Sequence, residues 1–144
     1  MKRLAVIALA AVAAACGGSD SAPSTVVTNA TVTTDTFTGT LNPPVNGVFQ
    51  QNAHNFTVTT GGGNINITLV SAGPPSTIKL GLGLGNPGAT GTCSIIPGFA
   101  LETASGSTAQ LPASGAPSGA YCAVVADTGN VGTTVTYTIT VAHT

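Results

Sequence analysis

Apolar and polar residues alternate along most of this chain, and a period of two marks a strand with one buried face. Thr36-Phe37-Thr38-Gly39-Thr40-Leu41 alternates and stops at Asn42-Pro43-Pro44. Val26, Val27 and Val32 precede it and leave its start a soft boundary. Val45 to Asn52 reads as a loop with an Asn46-Gly47 turn. His54-Asn55-Phe56-Thr57-Val58-Thr59 alternates with Phe56 and Val58 inward, and Gly61-Gly62-Gly63 breaks it. Asn64 to Leu69 follows with Ile65, Ile67 and Leu69 inward, so the two segments read as an antiparallel hairpin.

After a turn at 71–75, Ile78, Leu80, Leu82 and Leu84 share one face, while Lys79, Gly81, Gly83 and Gly85 share the other. Glycine is costly in a strand. Three on one face imply close approach of another loop or backbone, or a flat face left open for a ligand. The Gly-x-Gly-x-Gly spacing is not a dinucleotide fingerprint, because Pro87 stands where the helix would begin. Cys93 to Ile96 is a short strand ending at Pro97-Gly98, Phe99 to Leu101 another, and Thr108 to Leu111 an edge strand. Gly119 to Asp127 is a long apolar run suited to a strand buried on both faces. A turn at 127–130 leads to Thr133–Val141, with Val135, Tyr137, Ile139 and Val141 inward. Seven to nine strands with turns between them predict an all-β, antiparallel two-sheet sandwich rather than an α/β design.

One stretch has a different pattern. Met1-Lys2-Arg3 is followed by an unbroken apolar run from Leu4 to Ala15 and then by Cys16. A cationic start and a short apolar run form an export signal, since spanning a bilayer takes about 20 residues. Ala13-Ala14-Ala15-Cys16 resembles the lipobox of bacterial lipoproteins, with Ala13 where that family most often has Leu. The resemblance implies cleavage before Cys16 and acylation of that residue. An Ala-x-Ala cut releasing a soluble protein is the alternative. Gly17, rather than Asp, follows Cys16; by the family's habit this favours the outer membrane or cell surface. The chain then divides into a signal (1–15), a flexible tether (16–34) rich in small polar residues, and a domain (35–144).

Composition narrows the function. Once 1–15 is removed, Lys79 faces Asp20, Asp35, Glu102 and Asp127, a balance of 1 − 4 = −3. Such a chain cannot neutralise a row of phosphates, so nucleic acid is excluded as a partner. No polybasic patch remains for lipid headgroups, which leaves membrane attachment to the lipid on Cys16. Outside the cytoplasm Cys93 and Cys122 are expected to form a disulfide. Two free thiols or a metal pair are the alternatives, the latter with His54 and His143 as the only histidines and no C-x-x-C spacing.

The chemistry-bearing residues are few. His54 reads as a solvated histidine at a strand end, and His143, next to the last residue, as frayed. Asp127 sits in a turn, where Asp serves local hydrogen bonding. Glu102 is isolated, so no carboxylate pair for glycoside hydrolysis is evident, and four scattered acids do not suggest a calcium site. Tyr121 and Tyr137 read as core or corner tyrosines. No catalytic constellation, cofactor or metal is expected.

The closing segments carry a second resemblance. Gly119-Ala120-Tyr121 with alternating valines, the turn at 127–130 and Tyr137-Thr138-Ile139-Thr140-Val141 resemble the bacterial pre-peptidase C-terminal domain, as do Phe37–Leu41 and His54–Val58. The resemblance spans 34–142. It implies a jelly-roll-like sandwich of an accessory, non-catalytic kind, some relatives of which bind carbohydrate or calcium. The expected function is a structural or interaction module of the cell envelope with a surface glycan or protein partner; the alternative is a glycan- or peptide-binding accessory module.

Overall fold

The computed structural model describes residues 31–144. Cys16, the signal and most of the tether lie outside these residues. Eight strands form two antiparallel four-stranded sheets. They are β1 (Thr33–Leu41), β2 (Gln51–Val58), β3 (Gly63–Gly73), β4 (Lys79–Pro87), β5 (Cys93–Ala104), β6 (Leu111–Ala116), β7 (Gly119–Ala126) and β8 (Val135–His143). The sheet orders are β1-β8-β3-β6 and β2-β7-β4-β5, the strand order of a jelly roll.

The alternating rows form the core between the sheets. Ile65, Ile67 and Leu69 of β3, Leu80, Leu82 and Leu84 of β4, and Val135, Ile139 and Val141 of β8 are all buried. β7 lies between β2 and β4, and its run from Tyr121 to Val125 is buried without a break. A strand covered on both faces has no reason to alternate.

Several expectations are corrected. β2 and β3 do not form a hairpin: β2 pairs with β7 and β3 with β6 and β8. Their buried rows belong to opposite layers, so the link at 59–62 crosses between sheets. Pro97-Gly98 does not end a strand. β5 runs through it, pairing Ile95 with Gly85 and Ala100 with Gly83, and the residues between form a bulge. The edge strand beside β3 is Leu111–Ala116 rather than Thr108–Leu111. Gln51 and Asn52 belong to β2 rather than to a loop, and Thr33 and Thr34 of the expected tether already pair with β8.

The register also gives the molecule two distinct ends. β1 enters at Thr33 beside His143, and both Thr33 and the chain end at Thr144 lie at one pole. Loops 42–50, 74–78 and 127–134 gather at the other, because β1, β3 and β7 all run toward it.

Candidate functional site

The residues that carry chemistry occupy three places: the open edge of the sandwich, the loop pole and the outer face of the glycine-bearing sheet.

At the edge, β1 and β2 are the outer strands of opposite sheets, and their inward side chains close the gap. His54 lies in mid-strand, partly buried and pointing inward, and its ring stacks on Phe37 at 4.9 Å. His54 Nε2 shares a 2.8 Å hydrogen bond with the Tyr137 hydroxyl. Burial holds the imidazole below its ordinary pKa, so the neutral form is favoured. Burial also raises the Tyr137 phenol above its ordinary value, a push that a hydrogen bond to Asn52 partly offsets. Tyr137 is 2% exposed. Its ring fills the space a side chain at Gly39 would take, since a Cβ built there collides with the phenol. His54 is therefore a half-buried, inward-facing residue in mid-strand and not a solvated strand end. The expectation fails because the strand starts at Gln51, three residues before it.

His143 is corrected in the same way. It is 5% exposed, its Nε2 lies 3.0 Å from Asp35 Oδ2, and its ring packs 5.2 Å from Phe56. β8 runs to His143 between β1 and β3, and pairing on both sides holds the end that position alone predicted would fray. Two layers thus seal this edge: Asp35, His143 and Phe56 toward one pole, and Phe37, His54 and Tyr137 toward the other.

At the loop pole, Asp127 Oδ1 accepts hydrogen bonds from the backbone N–H groups of Gly129, Asn130 and Val131 at 2.8, 3.0 and 3.1 Å. This is the local role a turn aspartate serves. Its other oxygen is buried with no hydrogen-bond partner among the described residues. Glu102 Oε2 accepts from the Thr128 hydroxyl at 2.6 Å and from Asn130 Nδ2 at 3.3 Å, which ties β5 to the same loop. His54 and Asp127 are not brought together. His54 stands opposite Ala123 in the register, and each is committed to the partners just described. Among the described residues no three His, Cys, Asp or Glu side chains gather as a metal-binding group. Tyr121 is buried and donates its hydroxyl to the Pro117 carbonyl at 3.0 Å, a core placement like that of Tyr137.

The same pole carries a feature that alternation gave no sign of. Asn46 and Gly47 have φ of 54° and 75°, and Val45 pairs with Val48 across them, the backbone of a tight hairpin turn. The turn holds Val45, Val48 and Phe49 in the solvent at 66%, 68% and 55% exposure. Valine and phenylalanine ordinarily sit inside.

The glycine-bearing sheet face accounts for its own composition. Cys93 and Cys122 form a disulfide with a Cα–Cα distance of 6.0 Å. It joins β5 to β7 across β4 beside Gly85, where an added Cβ would strike the Ser94 carbonyl and lie 2.8 Å from Cys93 Sγ. A Cβ at Gly83 would lie 2.6 Å from Ile95 Cδ1. Close approach therefore explains Gly85, whereas at Gly83 the neighbour is the end of a flexible side chain that can shift. Beside them, Gly81, Gly83, Val124 and Ala126 floor a shallow groove of about 330 Å³, with Gln51 and Thr128 on its rim.

The sequence matches no protein-family model, and comparison with curated proteins and with solved structures gives no match.

Proposed function

We propose that this protein is a non-catalytic cell-envelope lipoprotein, a β-sandwich interaction module held at the membrane by a lipid on Cys16. The observation that carries the reading is the polarity of the fold. The chain enters the sandwich at Thr33, and the three loops with the exposed Val45, Val48 and Phe49 lie at the opposite pole. An anchor at Cys16 would hold those loops outward. The two histidines support the non-catalytic part, since both face the interior and seal an edge. The test is fractionation of cells expressing the full chain and a Cys16→Ser variant. The wild type is expected with the membranes and the variant in the soluble export fraction. Co-fractionation of both with the membranes would refute the anchor.

The groove beside Gly81 and Gly83 favours a second reading, a peptide- or glycan-binding accessory module. Its apolar floor with two polar rim residues suits one apolar side chain of an extended peptide better than a sugar. A peptide array probed with the wild type and with Gln51→Ala and Thr128→Ala variants tests this. Signals that vanish with the rim variants support it, and an array at background removes it.

A further inference from the structure

The outer face of the other sheet has a composition that neither reading uses. In β1 the outward positions are Thr34, Thr36, Thr38 and Thr40, all exposed. Thr36 stands opposite Thr140, Thr38 opposite Thr138, and Thr40 opposite Thr136. On the far side of β8, Thr68 faces Thr140 and Ser71 faces Thr138, but a bulge between them exposes Val70 and breaks the array on that side. No charged side chain occupies these outward positions.

Threonine suits strands in general, so the composition alone would need no function. The second sheet is an internal control. Among the outward positions of β2, β7 and β4 only Thr57 is a threonine; the rest include Ala53, Asn55, Val124 and three glycines. Strand propensity acts equally on both sheets and does not explain a lattice on one of them.

That lattice has two fixed repeats. Alternate residues along a strand are about 6.8 Å apart, and neighbouring strands about 4.8 Å apart. Each threonine carries one hydroxyl and one methyl, and Ser71 a hydroxyl alone. Apart from Thr136, whose hydroxyl donates to the Gly73 carbonyl at 3.2 Å, the hydroxyls offer a donor and acceptors to water at regular spacing, and the methyls between them leave that water few other partners. Charged groups would impose their own hydration shells, and none is present. Both repeats lie close to the oxygen repeats on the prism faces of ice. A shallow depression of about 300 Å³ over Thr38, Thr40, Ser71, Thr136 and Thr138 gives a first water layer room. Adjacent strands twist by about 20–25°, so the paired columns of β1 and β8 are the matching unit.

We propose that the β1–β8 threonine face binds ice, ordering a first layer of water that a growing crystal then incorporates. The proposal does not depend on the anchor or on the loop pole.

The test is ice recrystallisation and crystal shape in the presence of the purified full chain. Three substitutions accompany it: the exposed Thr38→Lys and the half-buried Thr140→Tyr on the array, and the exposed Thr57→Lys on the other sheet. Thermal melting of each establishes folding. The wild type and Thr57→Lys are expected to stop coarsening and facet the crystals, and both array variants to lose that effect while staying folded. A wild type that leaves ice growth at the buffer level overturns the proposal. So does activity that survives both array substitutions. Retention on insoluble polysaccharide that the array substitutions abolish, without any effect on ice, would also overturn it and assign the face to a glycan.

Discussion

Gly85 shows how a single residue type follows from a covalent contact. The disulfide and the Ser94 carbonyl occupy the space a methyl at Gly85 would need. Gly85→Ala is expected to cost on the order of 1–3 kcal/mol, the usual range for overpacking a filled site, and urea titration would measure it. Asp127 makes a second case. Its Oδ1 serves three backbone donors, so Asp127→Ala strands all three, and a loss on the order of 2–3 kcal/mol is expected. Asp127→Asn keeps an oxygen acceptor and is expected to lose less. Equal losses in the two variants would show that these bonds are not what matters at this position.

The edge histidine links a residue to pH. Burial lowers the His54 pKa in the folded state, so below its ordinary value of 6.5 the unfolded chain takes up the proton more readily. Stability is therefore full above that value and declines as pH falls through 6.5 toward the folded value. His54→Gln keeps a partner for Tyr137 without titrating, and its unfolding midpoint should vary less between pH 7.5 and 5 than that of the wild type. An unchanged slope would assign the acid sensitivity to other groups.

At the scale of elements, the strands with one buried row were legible: Ile65, Ile67 and Leu69 point inward as the alternation of β3 requires. So was the doubly covered run of β7. Pairing was not legible, because alternation reports which face is buried and not which strand lies alongside. The β2–β3 link illustrates this, since its glycines suit a crossover between sheets as well as a hairpin turn. Pro97-Gly98 misled for a related reason: a turn signal inside a strand makes a bulge when both flanks still find partners on β4. The disulfide was legible from the cysteine count together with an expected compartment outside the cytoplasm, although its route over β4 was not. Its removal by Cys93→Ser with Cys122→Ser opens a loop with a sequence separation of 29. The chain-entropy model gives a loss on the order of 3–4 kcal/mol, readable as a lower midpoint in denaturant.

At the scale of the whole molecule, the sandwich has two poles and two unlike outer faces. The start of β1 marks one pole, and apolar and polar loops crowd the other. One outer face is a threonine lattice and the other a glycine- and alanine-floored groove bridged by the disulfide. His54 and His143 looked peripheral from their sequence positions, yet both face inward, His143 buried and His54 half-buried, because the jelly-roll order places β8 centrally and brings β2 to the edge facing β1. The exposed Val45, Val48 and Phe49 gave no periodic signal, since an apolar loop tip has no period to read. With Lys79 the one cation after Arg3, contact made by either face or by the loop pole depends on shape, methyls and hydroxyls rather than on charge.

The proposed anchor at Cys16 would give these poles their meaning, and the intact mass of the native protein from membranes, with and without reduction, tests it most directly. The account predicts a chain beginning at Cys16 that carries two or three acyl chains and gains the two hydrogens of a disulfide on reduction. A lipid-free chain recovered from the medium would contradict it.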